Sequence, residues 1–394
     1  MIPAISLLVI GSVFLAAESG ISEAFSEGSI QGKVKLFSYD IDKESNEDAY
    51  ATALGGYLKY KTSTEKIIYG AVRFHTSNPV GPNKNREATA LFNSDKNGDA
   101  LTANSEAYIG WNGTGRVLKV GNLMLSTPMM NDDTTRIVPW SYQGAAYTGE
   151  TLPNTRVQLY HINQIRSHTS DQYKKESASG AIGSGITMLS IEYDGFENLD
   201  LQSYYYYAPD LYSTFIAQAD YKLLLSENDL ICASIQYFNS GDGGEYAETE
   251  NRNGGDDINL LAIKAGFDTD NWLVSLSYSQ NFGISGIVKG YGGLAKVYTT
   301  SMVANGRGNY KPETWMLKTH YDFPKSDWGQ SQVALTLTNT RTKESRGDDF
   351  DAYYLHWKHN FNADISLFVR FEDIDHHNEK GNVKYLRVIA SYSF

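Results

Sequence analysis

The stretch 384–394, KYLRVIASYSF, decides the fold class. In an extended chain successive side chains point to opposite faces. Leu386, Val388, Ala390, Tyr392 and Phe394 therefore share one face, and Tyr385, Arg387, Ile389, Ser391 and Ser393 share the other. One face is apolar and ends in two aromatics; the other mixes a cation, hydroxyls and two larger side chains. A strand of a membrane-spanning barrel has this form, apolar toward lipid and polar toward a wet interior. The same alternation returns in Ile68/Val72/Phe74, in Val333/Leu335/Leu337 and in Ile365/Leu367/Val369/Phe371, each against polar neighbours.

Working outward from that strand, segments of this kind recur along the chain, separated by turn residues. They read as strands over 29–39, 51–62, 67–75, 103–111, 116–123, 137–147, 155–166, 186–194, 199–207, 213–222, 230–239, 258–267, 272–282, 314–321, 332–341, 352–360, 364–373 and 384–394. That is about eighteen, an even number, as single-chain bacterial barrels have. The connections alternate. Short ones include 62–66, 112–115, 194–198, 226–229, 268–271 and 360–363; long ones include 76–102, 167–185, 240–257 and 283–313. A soluble sandwich has no reason to alternate in this way, whereas a membrane barrel has tight turns on one rim and long loops on the other. Trp111, Trp272 and Trp328 sit at or beside short turns, and Tyr204–Tyr207 near the opposite interface, as amphipathic rings at a membrane boundary do. The fold class expected is all-β: a transmembrane antiparallel barrel occupying 18–394.

The bulk composition agrees. Of 394 residues, 28 are Tyr, 16 Phe and 6 Trp, which suits aromatic girdles at two interfaces. A mean hydropathy of -0.40 disfavours a bundle of spanning helices. A formal charge of -12 gives no support to nucleic acid as a partner. The single cysteine, Cys232, rules out an intrachain disulfide. The one long apolar run, 2–17, reads as the hydrophobic core of a signal peptide cleaved near Ala17, although no Lys or Arg precedes it.

Three stretches resemble one family. The most specific is GNLMLSTPMMNDDTTRIVPWSYQGAAY, 121–147, with Thr-Pro, then Asn and Asp, then Arg-Ile-x-Pro, then aromatic-x-Gly. The others are AFSEGSIQGKVKLFSYD, 24–40, followed by ALGGYLKYKT, 53–62, and EAYIGW, 106–111. Together they resemble the OprD-type porins. The likeness runs from about Ala24 to Phe394 and is sharpest in the first third. It implies an eighteen-stranded barrel in which an inward-folded loop narrows the pore, here through Thr127, Pro128, Asn131, Asp132, Asp133, Arg136 and Pro139. Met124–Thr135 is expected to set the narrowest point. Pro128 cannot continue a ladder, and Met129 and Met130 gain by packing on an inner wall. Asp132 and Asp133 would then face cations across the pore; the alternative is a loop on the outer surface, with both merely solvated. The final strand resembles outer-membrane barrels as a class, which makes Tyr392 and Phe394 an expected signal to the barrel-assembly machinery.

Parity also places cations inside. Lys33 and Lys35 alternate with Val34 and Leu36, and Lys59 and Lys61 with Leu58 and Tyr60. Arg73, Arg370 and Arg387 each lie between two apolar residues. The strands concerned are the first three and the last two, which become neighbours when the barrel closes. Lys33, Lys35, Lys59, Arg73, Arg370 and Arg387 are thus expected to line the pore as one basic arc that attracts anions, Arg being able to hold a carboxylate bidentately. OprD-type porins are thought to guide solutes along such a basic ladder.

Other groups give weaker signals. Asp242, Glu245, Glu248, Glu250, Asp256 and Asp257, and the cluster Asp348, Asp349 and Asp351, could bind Ca²⁺ or bridge lipopolysaccharide through divalent ions, but their spacing matches no EF-hand, and solvated loops explain them as well. His376–His377 beside Asp373, Asp375 and Glu379 raises the alternative of a barrel hydrolase, and a structural or adhesive barrel is a further alternative. The Gly290–Gly293 cluster lacks the setting of a phosphate loop and reads as loop glycine. The expectation carried forward is a channel for passive, charge-influenced diffusion of small hydrophilic solutes and ions, amino acids and carboxylates among the candidates. It needs no cofactor, lies in the outer membrane among lipid and lipopolysaccharide, and is compatible with a homotrimer.

Overall fold

The computed structural model describes residues 25–209, 211–242, 258–283, 290–301, 312–342, 349–378 and 381–394. The expected signal segment 1–17 lies outside them, as do Asp348, Glu379 and most of the acidic stretch 242–257.

Eighteen antiparallel strands form one sheet: β1 (Ser29–Lys43), β2 (Ala49–Lys61), β3 (Ile68–Lys84), β4 (Leu101–Gly113), β5 (Arg116–Leu123), β6 (Ser141–Leu152), β7 (Thr155–Arg166), β8 (Ile186–Phe196), β9 (Leu199–Tyr207), β10 (Tyr212–Leu224), β11 (Leu230–Asp242), β12 (Ile258–Asp268), β13 (Trp272–Asn281), β14 (Glu313–Asp322), β15 (Gln330–Arg341), β16 (Phe350–Asn360), β17 (Ile365–His376) and β18 (Asn382–Ser393). Each strand pairs with its neighbours in sequence, and β1 pairs with both β2 and β18. The sheet therefore has no edge, which is the condition for a sheet to stand in hydrocarbon with every backbone group bonded. The seam runs from Lys33 opposite Ser393 to Lys43 opposite Val383. Two further bonds extend it, Gly32 N–H to Phe394 O at 2.8 Å and Phe394 N–H to Gly32 O at 3.0 Å.

The alternation that predicts the strands also sorts the two faces. Outward side chains such as Leu36, Phe74, Ile109, Leu355, Leu386, Tyr392 and Phe394 are exposed large apolar groups, a pattern that is costly in water and expected against lipid. Trp111, Trp272 and Trp328 are also exposed, beside the short turns. Tyr205 and Tyr207 point out, while Tyr204 and Tyr206 point in and are buried. Tyr392 and Phe394, the expected assembly signal, stack with centroids 6.0 Å apart on the lipid face beside the seam.

Two expectations need correction. The strand over 137–147 begins only at Ser141. Ile137 and Val138 look like strand residues, but Pro139 has no N–H for a ladder, and both pack inside the barrel with Phe37, Tyr39, Ile41, Leu91 and Phe92. Conversely, β3 runs on to Lys84, so the following connection is shorter than the 76–102 loop read from the sequence.

Candidate functional site

Eighteen strands about 4.8 Å apart and tilted about 40° enclose a cylinder roughly 35 Å across. Long loops fold into it. After β5 the chain leaves the wall at Met124 and makes a tight hairpin. Thr127 N–H and Thr127 Oγ1 both donate to Met130 O at 2.9 Å, and Asp132 N–H donates to Leu125 O at 3.0 Å. Met129 and Met130 are fully buried. They belong to one apolar cluster with Leu125 and with wall residues Tyr142, Ile162, Met188 and Tyr206. The Tyr206 hydroxyl lies 3.3 Å from Met129 N, whose N–H donates to it, and Tyr142 OH donates to Asn131 O at 2.8 Å. Pro128 thus ends the ladder and the methionines hold the hairpin on the inner wall, as the sequence leads one to expect.

Seven residues on from Met129, the Arg136 guanidinium lies 5.1 Å from the ring centroid of Tyr39, on β1. Tyr206 is on β9, almost half-way round the ring from β1. At about 3.4 Å per residue the intervening chain reaches about 24 Å, and side chains cover the remainder. The 124–140 loop therefore crosses the bore.

Three more loops brace it, and the sequence reading missed all of them. The segment 290–301 lies alongside the hairpin. Asn131 Nδ2 donates to Leu294 O at 2.7 Å, Leu294 N–H donates to Asn131 Oδ1 at 3.2 Å, Tyr291 N–H donates to Met129 O at 2.8 Å and Lys296 N–H donates to Pro128 O at 3.0 Å. Tyr291 is buried between Tyr206 and Tyr212, with centroids at 5.7 and 5.1 Å. Gly293 has φ 75, and a Cβ there would stand 2.4 Å from Asn131 O, so this loop glycine is a contact residue. The 167–185 loop meets both. Fully buried Arg166 donates to Pro139 O at 2.9 Å and to Ser170 O at 3.1 Å, and Ala178 N–H donates to Tyr291 O at 2.9 Å. The 85–100 loop sends Leu91 and Phe92 down onto Ile137 and Val138. Above them it is tied to the 167–185 loop by two ion pairs, Lys174–Asp95 at 2.9 Å and Lys96–Asp171 at 2.8 Å.

The charged groups lie on the parity the sequence predicts, since Val34, Leu36, Leu58, Phe74, Phe371 and Leu386 point out. The strand register places Arg370 opposite Arg387, and Arg387 opposite Tyr39. The arc is not purely basic, however. Glu372, with no exposed side-chain surface, takes Arg370 Nε at 2.5 Å and Arg387 Nη2 at 3.5 Å. Glu106 takes Arg73 Nε at 2.6 Å and Lys59 Nζ at 3.0 Å. Arg387 also donates to Tyr39 OH at 3.0 Å. Glu372 was legible, sharing the parity of Arg370. Glu106 was not: a bulge makes Ser105 an extra residue between the pairs Phe74/Asn104 and Arg73/Glu106, so both side chains turn inward.

The loop carboxylates are only partly placed as expected. Asp133 has φ 41 and accepts a bond from Thr135 N–H at 3.3 Å. Asp132 is half-buried. Burial pushes its carboxyl above the ordinary range, while the positive charges of Lys296 and, more weakly, Arg73 act against that rise. Arg136 joins the arc at Tyr39. Among the described residues no group of three His, Cys, Asp or Glu side chains could hold a metal ion. Asp351 is bonded to Arg341 and His377, and Asp349 to Thr342.

No curated protein matches this sequence significantly. Solved structures match over almost their whole length. Acinetobacter baumannii OccAB4 is 16% identical with a TM-score of 0.80, covering 93% of this chain and 98% of its own. Pseudomonas aeruginosa OccK9 (OpdG) is 15% identical with a TM-score of 0.81, and OccK1 (OpdK) of the same organism is 15% identical with a TM-score of 0.77; each match covers 94% of this chain and 99% of the other. At these identities the likeness establishes the fold. The profile described as "outer membrane porin, OprD family" matches residues 83–328, more than half of the chain and including the whole 124–140 loop. A closed eighteen-stranded barrel whose bore is narrowed by that loop, with the family's profile running through it, places this chain in the OprD family of Gram-negative outer-membrane porins.

Proposed function

We propose that this porin passes small hydrophilic solutes by diffusion and favours anions, carboxylates in particular. The carrying observation is the concentration of Lys and Arg on the lumen side of β1, β2, β3, β17 and β18, beside a loop that crosses the bore. Solutes forced close to that wall experience its charge more strongly than they would in an open pore. Lys33, Lys35, Lys59, Arg73, Arg370 and Arg387 form the arc, and the hairpin Thr127–Asp133 with Arg136 forms the constriction. A relative of the same fold, Pseudomonas aeruginosa OpdK, has been solved with vanillate, which fits a carboxylate preference here. The reading requires no covalent step. Tyr392 and Phe394 on the lipid face serve assembly, and lipid with lipopolysaccharide surrounds the apolar band.

Purified protein in a planar bilayer under a salt gradient tests this reading. Discrete ohmic steps with a reversal potential on the anion side support it. A protein that gives no current, or a strongly cation-selective current, contradicts it.

A further inference from the structure

The ion pairs inside the barrel divide its cations into two sets. Arg73, Lys59, Arg370 and Arg387 are engaged by Glu106 and Glu372, which are themselves almost or wholly buried. Several lysines differ, five of them spread round the wall. Lys33 and Lys35 on β1, Lys119 on β5, Lys264 on β12 and Lys318 on β14 lie on the inward parity, because Val34, Leu36, Val120, Ile263 and Leu317 beside them point out. Among the described residues no carboxylate oxygen comes within 4.0 Å of any of these five amino groups. Two of them rest on aromatic faces, Lys119 over Tyr108 at 5.2 Å and Lys264 over Tyr298 at 4.7 Å. A tyrosine face attracts an ammonium without cancelling its charge.

We propose that these five lysines, spread round the bore, are the groups that read a solute's charge, and that the glutamate-bound arginines chiefly brace the wall. The inference rests on the porin reading and refines it. An arginine whose fork is already occupied by a carboxylate must give up that partner to take a solute, and an ion pair so deeply buried is expensive to break. A lysine with no carboxylate bound has no ion pair to give up, and its ammonium on a flexible stem can turn toward a solute. Charge on β5, β12 and β14 also carries the positive wall beyond the arc at the seam, with Lys119 on one side of the 124–140 loop and Lys264 and Lys318 on the other.

The test uses three lysines outside the arc. In Lys119→Gln/Lys264→Gln/Lys318→Gln the anion-to-cation permeability ratio should fall by about twofold or more, with single-channel conductance of normal size reporting an intact barrel. A second experiment uses the native, folded porin. Acetylation removes lysine charge and should reproduce the fall; amidination keeps the charge and should not. A ratio that survives the triple substitution in a conducting channel, or that survives acetylation, overturns the proposal and returns selectivity to the arginines. An untreated protein that passes no current would instead overturn the porin reading itself.

Discussion

The Arg136 guanidinium, on the loop that crosses the bore, stands 5.1 Å from the centre of the Tyr39 ring on β1, and Arg387 stands 4.6 Å from the same ring. One aromatic side chain thus receives a cation from the constriction and a cation from the wall. Such contacts contribute about 0.5–2 kcal/mol when partly desolvated. Arg136→Gln and Tyr39→Leu should each loosen the far end of the loop and raise open-channel noise. Because they remove the same contact, the double substitution should do little more than either alone. The heat-modifiable barrel should persist in all three. Noise that is strictly additive in the double variant would show that the loop is held elsewhere.

The near end of the loop depends on Asn131, whose amide bonds Leu294 through both its donor and its acceptor. Asn131→Ala leaves two backbone groups of Leu294 without these partners, a loss of roughly 1–3 kcal/mol where water cannot replace them. Gly293→Ala should act in the same direction more strongly, since the added Cβ meets Asn131 O and φ 75 is strained for alanine. Both variants should give larger and less uniform conductance steps than the native porin. Steps of native size in Gly293→Ala would contradict the packing of the two loops.

Protonation should alter selectivity through Asp132. Burial raises its carboxyl above the ordinary carboxylate range, with Lys296 and Arg73 opposing and Asp133 reinforcing the rise. As pH falls, Asp132 should therefore gain its proton earlier than a solvated aspartate does. The constriction then loses a negative charge and the reversal potential moves toward anions. Asp132→Asn should remove that step and leave any titration from lower-lying acids. An identical pH profile in native porin and variant would exclude Asp132 from the conduction path.

The outer latch should respond differently. Hydrogen bonds from Lys174 and Lys96 hold the Asp95 and Asp171 carboxyls below the ordinary range. Carboxylates lowered in this way keep their pairing down to about pH 4 and lose it only below. High salt, by contrast, should weaken these exposed pairs. Protease nicking in the 85–100 loop should increase with ionic strength at neutral pH and stay low in dilute buffer at pH 5. Insensitivity to salt would mean that the buried Leu91 and Phe92 alone hold the loop.

The barrel was legible because a period of two is imposed by lipid on one side and water on the other, and the strands keep to it except at local bulges. The hairpin at Thr127 was legible for the opposite reason, since Pro128 and paired methionines have no place in such a strand. Ile137 and Val138 misled because an apolar pair beside a wall strand looks like part of it; only Pro139 signals that the ladder has not begun. Glu106 was hidden by a bulge that breaks the alternation. The inward course of 290–301 had no local signature, because its contacts, from Tyr291 to Tyr212 and from Leu294 to Asn131, join residues far apart in sequence.

A 124–140 loop that sets the width and charge of the conducting pore must place Asp132 beside passing ions. The most direct test is Asp132→Cys with Cys232→Ser, recorded in a bilayer before and after labelling with a bulky, charged thiol reagent. Single-channel conductance should fall sharply on labelling and recover when a reductant removes the label. A fully labelled channel with unaltered conductance would place Asp132, and the loop with it, outside the path of the solute.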